Sequence, residues 1–183
     1  NAFNEIMRAA VIAHFGTVPT LAHMQLFLYR LLNPECALVL DGEVWIDTAT
    51  GLLVTSAEGL VQGCPFSSAV FAVALQPHLV ALDAKLEAAG GAARAGADDV
   101  YAVGPPLVVL DGIKEFAVRV EAALGLKVQP NKTEVFCPGW LSPADDGLAT
   151  ASQVRRWLRL NPDWVNPGRD LIVAGFSCYG VPV

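Results

Sequence analysis

Apolar residues near the start of the chain recur at helical spacing. Ile6, Ala9, Ala10 and Ala13 predict one face of a helix, with Asn4 as its cap and Gly16 past its end. A second helix is predicted from the cap Thr20 through the stripe Leu21, Met24, Leu28 and Leu31 to a stop at Asn33-Pro34. The stripe is read as core. The pattern then changes to short runs: Ala37 to Leu40 and Glu43 to Ile46 flank Asp41-Gly42, a dipeptide that favours a tight turn because glycine accepts positive φ. That combination predicts a β-hairpin.

Leu52 to Thr55 reads as a further strand, and Gln62-Gly63-Cys64-Pro65-Phe66-Ser67 leads into a long apolar helix from Ser67 to Leu86, with Pro65 in its first turn. Pro77 inside that segment removes a hydrogen bond to Val73, so a kink or break is expected there, and Gly90-Gly91 ends the run. Ala92 to Ala97 and Val100 to Val103 predict two short strands joined at Asp98-Asp99, which places two carboxylates side by side on a hairpin tip. Leu107 to Leu124 is helical by pattern, with Gly125 as its stop. Leu126 to Gln129 and Thr133 to Phe136 predict a strand pair around Pro130-Asn131. Pro138, Gly139, Pro143, Asp145, Asp146 and Gly147 read as a loop, Ser152 to Leu160 as a short basic helix, and Leu171 to Val173 as a last strand.

Composition narrows the class. The chain has 183 residues, 54% of them hydrophobic and only 16% charged, which argues against disorder and coiled coil. Twelve basic and 18 acidic residues give a net charge of -6, so bulk positive charge does not bind phosphate backbones here and any nucleic-acid role must be local. The longest purely apolar run, Ala69 to Leu75, is too short to span a bilayer, and no membrane role is expected. The opening at Asn1, without an initiator methionine or a targeting segment, predicts an excised piece of a longer polypeptide with an unusually apolar surface. Cys36, Cys64, Cys137 and Cys178 include no Cys-x-x-Cys pair and read as buried free thiols. His14, His23 and His78 lack metal-ligand spacing and read as structural.

The order of the pieces carries a resemblance. Asn1-Ala2-Phe3-Asn4, a Gln-Gly-x-Pro-x-Ser loop before a helix, Ala-Asp-Asp on a hairpin, and Gly-Leu-x-x-x-x-x-Lys together resemble the palm domain of reverse transcriptases, especially those of retrotransposons lacking long terminal repeats. The resemblance covers residues 1–136, and Gly180-Val181-Pro182 looks like the start of a following turn of that family, which makes 137–183 an extension towards the thumb connection. It implies an α+β, palm-like fold: a small antiparallel sheet carrying Asp98 and Asp99, backed by the helices from Ser67 and Leu107, as a fragment of a larger right-hand polymerase. The implied function is two-metal, template-directed nucleotidyl transfer by an RNA-directed DNA polymerase. Its implied partners are an RNA or DNA template with primer and a deoxynucleoside triphosphate.

The resemblance also assigns residues. Two Mg²⁺ or Mn²⁺ ions need hard oxygen ligands, and Asp98 and Asp99 supply them, with Asp98 as main ligand and Asp99 as secondary because adjacent side chains face opposite ways. Phe3 falls where the family keeps a ring beneath the incoming sugar. Gln62 and Gly63 match the loop along the template and incoming base, and Lys132 matches the lysine that protonates the pyrophosphate leaving group. The family's first metal-binding aspartate would fall three residues before Asn1. Gly96 stands where the family has Tyr or Phe, and Cys64 replaces an acidic or small polar residue. Those departures keep two alternatives in view: a degenerate remnant that serves only as a folded scaffold, and a nucleic-acid-binding module without chemistry.

Overall fold

The computed structural model describes residues 6–32, 39–40, 43–44, 46–52, 59–60, 64–136, 145–164, 172–173, 177–178 and 181–182. Within them the chain is mixed helix and sheet. The helices are α1 (Arg8–Thr17), α2 (Gln25–Leu31), α3 (Ser67–Glu87), α4 (Pro106–Leu124) and α5 (Asp145–Leu160). The strands are β1 (Val39–Leu40), β2 (Glu43–Val44), β3 (Ala92–Gly96), β4 (Asp99–Val103), β5 (Val135–Phe136), β6 (Ile172–Val173), β7 (Ser177–Cys178) and β8 (Val181–Pro182). The longest ladder is β3–β4. It runs antiparallel from the Ala92–Val103 pair to the Gly96–Asp99 pair.

The core forms where α1, α3, α4 and the β3–β4 hairpin meet. Phe71, Leu82 and Leu86 of α3 are at most 2% exposed, and each such burial contributes about 1.5–3 kcal/mol. Gly112 lets α4 approach α3 closely, since a Cβ there would stand 3.1 Å from a Leu82 methyl and 3.4 Å from one of Leu86. Lys85 pairs with Glu115 at 2.5 Å across the same two helices. α3 runs unbroken through Pro77, without the expected break, because the residues on both sides of the proline, Val70 to Leu75 and Leu82 to Leu86, bury into one core. By length and composition alone α3 would also cross a membrane; in this fold it is the central packing helix.

Several expectations shift. Of the predicted face Ile6 is buried and Ala10 packs on the core, but Ala9 and Ala13 are exposed; α1 buries Val11, Ile12 and Phe15, because the larger side chains gain more from leaving water. Gly16 lies inside α1, not past its end, and its missing Cβ leaves room for the Gln25 side chain, which donates to the Ile12 carbonyl at 3.3 Å. In α2 the stripe holds at Leu28 but ends on buried Leu32, leaving Leu31 40% exposed. Pro65 precedes α3, whose cap position is Phe66. The β1–β2 hairpin forms with Leu40 opposite Glu43. The termini of the long helices follow the sequence: Pro106 opens α4, and Gly125 closes it at φ 73°.

Two readings fail outright. Residues 126–129 form no strand; Leu126 turns back to donate to the Val120 carbonyl and buries, and the following Pro130–Lys132 makes a single 3₁₀ turn. β5 pairs instead with distant β6, in parallel. Asp145, Asp146 and Gly147 belong to α5 and not to a loop. Cys64 is half-buried, not buried, and free, while the other three cysteine side chains lie outside the described set. Of the predicted strand Leu52 to Thr55 only Leu52 is described, exposed and outside any strand, and the cap Asn4 also lies outside the described residues. Among the described residues large apolar groups are exposed, including Leu26, Phe27, Tyr29 and Phe66, with the Phe27 and Phe66 rings meeting edge to face at 5.5 Å.

Candidate functional site at the hairpin tip

The hairpin follows α3 directly and precedes α4. Gly91 makes the entry: a Cβ there would collide with the Val103 carbonyl, so only glycine permits this approach. Asp83 of α3 then fixes the first strand, its carboxylate accepting from the Ala93 amide at 2.7 Å and from Arg94 at 2.8 Å. The Ala93 amide first, and Arg94 with it, hold the Asp83 carboxyl below the usual aspartate range.

Alternation sets the faces. Ala93, Val100 and Ala102 turn towards the helices and pack on the core, so Arg94, Asp99, Tyr101 and Val103 lie on the opposite face. The turn is Ala97-Asp98, one residue earlier than the sequence predicts. Ala97 takes a positive φ of 54°, as the first residue of a two-residue hairpin turn does. In the observed register Ala93 pairs with Ala102, and both face inward with Val100. Asp98 therefore sits in the turn itself, and Asp99 begins β4 opposite Gly96; both are exposed.

Lys132, also exposed, ends the Pro130–Lys132 turn, which packs against the Pro162–Trp164 turn after α5. Among the described residues no hydrogen bond or ion pair joins Lys132 to Asp98 or Asp99. Phe3, Gln62 and Gly63 lie outside the described residues. The structure thus brings together Asp98 and Asp99, and places Lys132 on a separate element.

Exposed carboxylates are the donor type that a hard divalent cation such as Mg²⁺ or Mn²⁺ takes. Among the described residues no three His, Cys, Asp or Glu side chains form a metal-holding group, so further ligands would come from water, substrate or other residues. Residues passed over in the sequence are Arg94 and Tyr101, which pair across the ladder on the face that carries Asp99. The i, i+2 spacing of Asp99 and Tyr101 is the signal, legible once the register is known. No protein-family model matches the chain, and no curated protein matches it.

Proposed function

We propose that this chain is part of the catalytic core of an RNA-directed DNA polymerase, with a palm-like arrangement in which the β3–β4 hairpin carries the catalytic carboxylates. One observation carries the reading: the Ala-Asp-Asp motif lies at the tip of an antiparallel hairpin whose other face is backed by helices α3 and α4. A surface turn selected only for solubility has no need of such rigid backing, whereas metal ligands do.

In this reading Asp98 and Asp99 hold divalent ions by their carboxylate oxygens. The ions, when bound, supply activation of a primer hydroxyl and charge neutralisation at the triphosphate. The chain's own contribution is positional. Asp83 and the buried face of the hairpin fix where the two carboxylates stand, and the exposed ammonium of Lys132 supplies a proton to a departing pyrophosphate. Phe3 would exclude a 2′-hydroxyl, and Gln62 with Gly63 would follow the template and incoming base.

Mn²⁺ titration monitored by paramagnetic broadening of backbone amides tests the metal site. Broadening confined to Ala97–Val100 and the surrounding tip, and abolished in Asp98→Asn/Asp99→Asn, is expected. Mn²⁺ that broadens other regions and leaves the tip sharp overturns it. Primer extension by a longer polypeptide containing this chain, lost in Asp98→Asn, tests the activity itself.

A further inference from the structure

α5 lies beyond the segment that carries the reverse transcriptase resemblance, and its two sides differ sharply. Ala151, Val154 and Trp157 are buried, with Val154 fully so. Val154 and Trp157 close a second, smaller core with Leu110 of α4 and the half-buried Val135, Leu158 and Trp164. Trp157 donates its indole N–H to Asp111 at 2.6 Å and meets Trp164 edge to face at 6.2 Å. At the end of α5, Asn161 donates to the Trp157 carbonyl at 2.8 Å and accepts from Lys114 at 2.5 Å. These contacts fix the rotation of α5 about its axis.

That rotation turns Ser152, Arg155, Arg156 and Arg159 to solvent. They stand at i, i+3, i+4 and i+7, one stripe of the helix, and all four are exposed. Among the described residues none of the three arginines has an ion-pair partner, although the chain carries 18 acidic residues against 12 basic ones. Positive charge is thus gathered on a helix face of a protein that is acidic as a whole. The turn that follows α5, Pro162–Trp164, carries the exposed Asp163 and packs on the Pro130–Lys132 turn.

We infer that the Ser152–Arg155–Arg156–Arg159 face of α5 is a nucleic-acid backbone-binding surface, which grips the phosphates of the primer–template. The identity of that nucleic acid rests on the polymerase reading above. Guanidinium groups pair with phosphate oxygens in bidentate fashion, and a neighbouring hydroxyl adds a donor without sequence preference. A membrane surface fits less well. A helix lying in a lipid interface needs its apolar face free, and here that face is spent on α4.

The test is fluorescence anisotropy of a short fluorescein-labelled RNA·DNA primer–template duplex with the full chain, in EDTA and at several salt concentrations. Binding that weakens with salt is expected. The triple variant Arg155→Gln/Arg156→Gln/Arg159→Gln should bind at least ten-fold more weakly at low salt, with a log–log salt slope shallower by about 2–3. The triple lysine variant, which keeps the charges, should retain the slope. An unchanged near-ultraviolet signal from Trp157 and Trp164 verifies that the variants keep α5 docked. No binding by the unmodified chain, equal binding by the glutamine variant, or stronger capture by phosphatidylserine vesicles than by the duplex would each overturn the inference. Because the assay excludes divalent metal, its failure leaves the Asp98–Asp99 site to its own Mn²⁺ test, and the converse holds.

Discussion

The β3–β4 hairpin and α5 are both attached to α4, but by different means. The hairpin shares the principal core with α1, α3 and α4, and Asp83 and Gly91 lock its entry. α5 is held by a small cluster at the other side of α4, where Leu110 meets Val154 and Trp157, with a few polar contacts at its edge. Gly112 faces α3 and Phe116, Val120 and Leu124 bury in the principal core, while Leu110 and Asp111 serve α5, so one helix supports both. The difference teaches that the carboxylate tip shares the global stability of the fold, whereas the arginine face depends on a local docking that opens at lower cost.

The strongest way to break this comparison is a cavity in each core. Leu82→Ala should cost about 2–5 kcal/mol and lower hydrogen-exchange protection everywhere, the hairpin included. Val154→Ala should cost about 1.5–2 kcal/mol and lower protection in α5 while leaving Ala92–Val103 slow to exchange. Equal loss of protection in the hairpin from Val154→Ala would show one cooperative unit in place of two.

Next in size is Gly91→Ala. Its new Cβ meets a backbone carbonyl and not a movable side chain, so destabilisation of about 2–3 kcal/mol by chemical denaturation is expected, centred on the hairpin entry. A neutral result would mean that the hairpin entry relaxes easily, and the contrast with α5 would weaken.

Trp157→Phe sharpens the other side. It keeps most of the buried ring but removes the donor to Asp111, for about 0.5–1.5 kcal/mol, seen as faster exchange in α5 alone.

The smallest effect concerns His78, on the core side of α3. Burial first, then the nearby charges of Arg119 and His14, hold its pKa below the ordinary 6.5. The unfolded chain therefore binds this proton more readily than the folded one. The stabilising contribution is complete above 6.5 and is lost as pH falls towards the lower, folded value. Stability curves of the native chain and of His78→Gln should run parallel above 6.5, and below it the native chain should lose stability faster than the variant; curves parallel throughout would show His78 uncoupled from the core.

Local rules were legible in the residues alone. Gly125 closes α4, Gly90-Gly91 ends the turn after α3, and the pairing of two short strands around Ala-Asp-Asp follows from flanking small and β-branched residues. These depend on φ restrictions, on missing donors and on spacing within a few residues, which any chain carries with it. The identity of the carboxylate pair was legible for the same reason, and so was the basic character of Ser152 to Leu160.

What required the tertiary structure was every choice between alternatives that local rules leave equal. β5 takes a partner 37 residues away, Val135 pairing with Ile172, because Leu126 is drawn into the core and Pro130 turns the chain. α3 stays whole across Pro77 because burial on both sides outweighs one missing hydrogen bond. The three arginines become a single outward stripe only because Val154 and Trp157 fix the rotation of α5. In each case the deciding energy is burial against residues distant in sequence, a term that no window of neighbouring residues contains.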